Sequence, residues 1–74
     1  MGAPFVKELD RVPLVNKRFY EVLSNGVGQA TFAEAERAVT DYHHGTYPQE
    51  KVRIIDVRRD PSNPRRLVVT AGIR

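Results

Sequence analysis

Cysteine is absent from the chain. This excludes a disulfide framework and a thiolate metal site, and it suits a reducing cytoplasm. No apolar run approaches the ~20 residues that a membrane-spanning helix requires, so no membrane association is expected. The first fifteen residues, MGAPFVKELDRVPLV, carry Glu8 and Asp10 and lack an apolar core, unlike a secretory signal. Gly2 is present, but Val6 stands where N-myristoylation expects Ser or Thr. A cytoplasmic protein is therefore expected.

Catalytic signatures are equally scarce. Ser24 and Ser62 lie in turn contexts, and no G-x-S-x-G occurs. Gly26-Val27-Gly28 precedes a helix, as in a phosphate-binding turn, but Thr31 replaces the third glycine and no P-loop lysine follows. His43 and His44 are adjacent, so on a helix they point about 100° apart and cannot share one ion as an i, i+4 pair does. They are expected to form a polar C-terminal turn that complements the helix dipole. No cofactor or metal is called for, and an enzyme is not expected.

The strongest structural signal runs from Thr31 to Val57. Thr31 and Glu34 form a T-x-x-E capping box, in which each side chain satisfies the other residue's free N–H. Phe32, Ala35, Ala38, Val39 and Tyr42 follow at helical spacing on one face, with Glu34, Arg37, Asp41 and His44 largely outside it. Gly45 stands where a left-handed residue would close the helix, and Pro48 stops continuation. Val52 to Arg59 then reads as a strand, with a bulge or two covered faces implied by the adjacent Ile54 and Ile55. The turn residues DPSNPR separate it from RLVVTAGI, which places Leu67, Val69, Ala71 and Ile73 on one face of an antiparallel partner.

Lys17 to Ser24 is rich in aromatic and branched residues and is read as a strand ending at Asn25-Gly26. The fold class is then α+β, in the order β-α-β-β: a small three-stranded, mostly antiparallel sheet with one amphipathic helix over residues 17–74. Residues 1–16 sustain neither period and are expected to be a tail or docking segment. If Asn16 instead capped a short helix, the architecture would be a winged-helix-like α-α-β-β with DPSNPR as the wing. The acidic Glu34, Glu36 and Asp41 on the would-be reading helix oppose that alternative.

The 74 residues carry 12 Lys+Arg against 9 Asp+Glu, a net charge of +3. Such a balance permits contact with nucleic acid or an acidic protein surface. Arginine crowds the last third of the chain, and Arg58, Arg59, Arg65 and Arg66 flank the Pro/Asn tip. Their planar guanidinium forks suit phosphate or carboxylate partners, or else they protect an exposed hairpin edge and pair with Asp56 and Asp60.

The run TFAEAERAV, then YP, then VRIIDV resembles a module of small uncharacterised bacterial and phage proteins, over residues 30–57. In size and charge the chain is also similar to phage-encoded proteins that dock on host RNA polymerase. That resemblance implies a regulatory binding module, a modulator of bacterial transcription, acting on a larger protein partner and expected to be a monomer. Phe5, Val6, Lys7 and Leu9 would be its apolar and basic anchors, with Arg58, Arg59, Arg65 and Arg66 supplying charge complementarity. The alternative is a nucleic-acid-binding protein using the basic hairpin and Lys17-Arg18.

Overall fold

The computed structural model describes residues 4–9, 16–25 and 29–73. In chain order these form β1 (Phe5–Glu8), β2 (Lys17–Leu23), α1 (Phe32–Thr46), β3 (Val52–Asp60) and β4 (Asn63–Ile73). The four strands make one antiparallel sheet in the order β1-β2-β4-β3. The α+β class is as expected, but the sheet has four strands rather than three. The extra strand comes from the segment read as a tail. Phe5–Glu8 is too short to show alternation, and its extended form comes from pairing with β2, Phe5 opposite Leu23 and Glu8 opposite Tyr20. The rest of that tail lies at residues 1–3 and 10–15, outside the described residues, apart from Pro4, Leu9 and Asn16.

Residues 17–23 are a strand, which removes the winged-helix alternative. Asn16, the would-be helix cap, instead adopts the left-handed region (φ 65°) just before β2, where asparagine is tolerated. β2 and β3 run parallel to each other with β4 inserted between them, so the helix connects strands that are not neighbours.

The helix begins as its sequence dictates. Thr31 is the N-cap, its hydroxyl accepts from the Glu34 N–H at 3.1 Å, and its own N–H donates to the Glu34 carboxylate at 2.9 Å. Those bonds hold the Glu34 carboxyl below its ordinary value, the backbone bond contributing most. The other end differs from expectation. Gly45 lies inside the last turn, and Tyr47 closes the helix by donating its N–H to the His43 carbonyl at 2.7 Å. Pro48 follows directly, and the chain turns again where the Glu50 N–H donates to the Tyr47 carbonyl.

One sheet face packs on α1. Tyr20 and Val22 of β2 and Leu67, Val69 and Ala71 of β4 are fully buried against Ala35 and Val39 of the helix. Val6, Val52, Ile54 and Val57 close the sides of this core. Burial of each large aliphatic side chain contributes about 1.5–3 kcal/mol, which makes the helix and sheet mutually dependent in so short a chain. The β3–β4 pairing shifts register between Ile54 and Asp56, placing a bulge at Ile55. Pro61 and Ser62 alone form the hairpin tip, tighter than the DPSNPR loop read from sequence. Among the described residues no helix is long and apolar enough to cross a membrane.

Candidate functional site

Strand register decides which side chains share the face that α1 leaves uncovered. Val6, Tyr20 and Val69 point to the helix, so their neighbours along each strand point away. Phe5 and Lys7 of β1 therefore lie beside Leu23 and Glu21 of β2. Arg66, Val68, Thr70 and Gly72 of β4 lie beside Leu23, Glu21, Phe19 and Lys17. Arg53, Asp56 and Arg58 of β3 complete the rows opposite Gly72, Thr70 and Val68.

The bulge adds Ile55 to this face. A Cβ on Gly72 would stand 2.8 Å from Ile55 Cδ1, so the missing side chain makes room for the isoleucine. Ile55 nevertheless stays 52 % exposed and Phe5 63 % exposed. No described element covers either side chain: Phe5 lies beside Leu23 at one corner of the face and Ile55 beside Gly72 at the opposite one, with the half-buried Val68 between. An open groove lined by Asn16, Arg53, Ile55 and Gly72 runs along the β3 side.

Charge on this face is mainly positive. Lys7, Lys17, Arg53, Arg58 and Arg66 outnumber three carboxylates, Glu21, Asp56 and, through its contact with Arg66, Asp60. All three carboxylates are already engaged. Arg66 donates to Glu21 and also to Asp60 at 3.2 Å, while Arg58 donates to Asp56 at 2.8 Å. The Glu21 contact holds the Arg66 guanidinium more firmly protonated. Among the described residues Lys7, Lys17 and Arg53 are in no ion pair. The outer side of α1, with Glu34, Glu36 and Asp41 exposed beside Arg37, is by contrast the acidic side.

The anchors expected from sequence divide between the two faces. Phe5 and Lys7 reach the helix-free face, whereas Val6 packs against the core. Leu9 is half-buried, its N–H donating to the Phe19 carbonyl at 2.8 Å. The four arginines do not converge on one surface. Arg58 and Arg66 are on the helix-free face, but Arg59 turns back to donate to the carbonyls of Pro64 (2.6 Å) and Ala30 (3.0 Å) and lies over the Phe32 ring. Arg65 donates to Ser24 Oγ and its carbonyl at 3.1 and 3.2 Å. The glycine turn at 26–28 lies outside the described residues. Of the expected Lys17-Arg18 pair, Lys17 is on this face and Arg18 on the other. Arg53 and Ile55, which the structure adds, carried a signal in sequence: they alternate with the core positions of their strand.

A second feature is a polar network on the helix side. Both histidines lie in the last turn of α1, as expected, but His43 is fully buried whereas His44 is exposed. The Tyr20 hydroxyl lies 2.7 Å from His43 Nδ1, and Glu50 Oε1 lies 3.0 Å from Nε2, close but off the direction of a good hydrogen bond. A carboxylate beside Nε2 favours the proton there, leaving Nδ1 to accept from Tyr20. Glu50 is gripped by Arg18 through Nε (3.2 Å) and Nη2 (3.0 Å), and Arg18 reaches Glu8 at 3.3 Å and stacks 3.8 Å over the Tyr47 ring. Tyr47 closes the circuit by donating to Glu8 at 2.8 Å.

Arg18 holds the Glu50 carboxyl below the ordinary range. Burial pushes the Tyr20 phenol up, and the Glu8 bond raises that of Tyr47. Such a phenol does not ionise near neutral pH, so the circuit reads as a tie between β1, β2, α1 and the Tyr47–Glu50 turn. Among the described residues no group of three or more His, Asp or Glu could hold a metal ion. No family model matches this chain, and neither does any curated protein or solved structure.

Proposed function

We propose that this chain is a non-enzymatic binding module that docks on a larger macromolecular assembly through the helix-free face of its sheet. The observation that carries the reading is a sheet face with no helix over it on which the exposed Phe5 and Ile55 stand among five cations, three of them in no ion pair among the described residues. An excess of positive charge there speeds encounter with an acidic partner and disfavours others. The titratable circuit around the buried His43 ties β1, β2, α1 and the following turn together, which supports a structural role for it over a catalytic one. Transcription machinery, such as bacterial RNA polymerase, offers acidic protein surface and nucleic acid together. A modulator of that machine, possessing the anchors Phe5, Lys7, Arg58 and Arg66, is the concrete form of the proposal.

The test compares three forms of the tagged chain in capture from bacterial lysate at moderate salt. The double variant Lys17→Glu/Arg53→Glu reverses charge on the helix-free face, and Arg37→Glu does so on the helix. Retained macromolecules lost only with the double variant support the proposal. Retention unchanged in that variant, with its circular dichroism intact, would sink it.

A further inference from the structure

The partner chemistry of the helix-free face can be narrowed further, on the reading that this face is the docking surface. Every carboxylate on it is held by an arginine, Glu21 and Asp60 by Arg66 and Asp56 by Arg58, so the charge left for a ligand is that of Lys7, Lys17 and Arg53. The cations are also dispersed. Lys7 sits on β1, Lys17 on β2, Arg66 on β4, and Arg53 and Arg58 on β3, one or more on each strand. Strands lie about 4.8 Å apart and same-face residues about 6.7 Å apart, so the patch spans roughly 14 by 20 Å. Apolar side chains lie between the cations: Phe5 and Leu23 at one end, Val68 near the middle, and Ile55 by Gly72 at the other.

A ligand that fits must bring dispersed negative charge with flat apolar surface between the charges. Single-stranded nucleic acid has that form, phosphates alternating with bases whose faces are free to pack. A duplex keeps its bases stacked inside and offers this patch phosphates alone, leaving Phe5 and Ile55 in water. We propose that the helix-free face binds a short stretch of single-stranded nucleic acid, its cations on the phosphates and its apolar side chains under the bases. The area corresponds to the small end of known single-strand sites, about 4 nucleotides. Arginine suits the phosphate role through its bidentate fork.

Fluorescence anisotropy with a labelled mixed-sequence 12-mer, as DNA and as RNA, tests this on the full chain at 50 and 200 mM salt. The three cations without ion pairs, each neutralising one phosphate, imply an affinity loss of about 20-fold across that range for a single strand. Lys17→Glu/Arg53→Glu should weaken binding by about tenfold or more, and Phe5→Ala by about fivefold. Arg37→Glu, on the helix, should leave it unchanged. Phe5 is exposed on an edge strand, so its variant keeps the fold and serves as the second reading if the double variant unfolds.

Absence of binding at 50 mM, equal affinity for a 12-base-pair duplex, or equal weakening by Arg37→Glu would each overturn the inference. These failures are separable from failure of the docking surface itself. Retention from nuclease-treated lysate that the double variant abolishes, without oligonucleotide binding, would identify a protein ligand on the same face.

Discussion

Replacing Tyr20 by Phe removes one oxygen from the centre of the molecule and tests the buried network directly. The ring stays, so no cavity of consequence opens, and the loss is confined to the 2.7 Å contact with His43 Nδ1. His43 is fully buried, and water cannot replace the missing hydroxyl without new space. A buried acceptor stripped of its partner costs about 1–3 kcal/mol. For 74 residues the whole stability is on the order of 4–11 kcal/mol, so the change removes a substantial share of it. A loss of about 2 kcal/mol lowers the melting temperature of a domain this size by about 8–16 °C. Thermal and urea unfolding followed by circular dichroism at pH 7 would read it. Tyr42→Phe is the matched control, since Tyr42 packs edge-on at 5.7 Å from the Tyr20 ring but is 37 % exposed. It should move stability by no more than about 0.5 kcal/mol. If the two variants behaved alike, the argument that the hydroxyl holds the imidazole in the core would be wrong.

Three further outcomes follow from named contacts. Because Arg18 depresses the Glu50 carboxyl below its ordinary 4.5, the stability from Glu50 is fully present above that pH and is lost as pH falls through the lower folded value. Glu50→Gln should thus be less stable than the parent at pH 7, with the gap closing below about pH 4.5; a pH-independent gap in unfolding midpoints would refute this. Thr31→Ala breaks both bonds of the capping box and should cost about 1 kcal/mol in urea unfolding, whereas no change would mean the helix start is held by packing alone. Gly72→Ala pushes against the half-exposed Ile55, which can rotate away, so the cost should stay below about 1 kcal/mol. In an Ile55→Ala background the same change should stabilise by about 0.5 kcal/mol through the lost glycine entropy, and continued destabilisation there would show a backbone cause instead.

What could be read from sequence was what local chemistry decides. The capping box, the helical stripe (of which Ala35 and Val39 are buried while Phe32 and Tyr42 stay exposed), a turn within DPSNPR and the bulge beside Ile54 all act within a few residues. The strand β1 was not readable, because four residues beside Pro4 acquire their extended form only from β2. The burial of His43 was not readable for a related reason. Ala35, Val39 and His43 follow one another at i, i+4 and i+8, a core spacing, but the helix dipole accounts equally well for a histidine pair in the last turn. The partners that bury it come from residues 20 and 50, which the helical period cannot reveal. The arginines around the hairpin looked like one patch because neighbours in sequence were counted together. Strand alternation sends Arg58 and Arg59 to opposite faces, and the opposite pairings of Arg65 and Arg66 follow likewise. The surface that emerges instead joins Lys7, Lys17, Arg53 and Ile55, residues far apart in the chain that only the strand order unites.

The most direct measurement of the docking surface is a methyl nuclear magnetic resonance comparison of the isotope-labelled chain with and without unlabelled bacterial lysate macromolecules. Leu23, Ile55 and Val68 report the helix-free face, and Val39, Leu67 and Val69 report the core under the helix. The account predicts shifts or broadening that begin at Leu23, Ile55 and Val68 and vanish in the Lys17→Glu/Arg53→Glu variant. Changes that begin at Val39, or that persist in the variant, would place the partner elsewhere and contradict it.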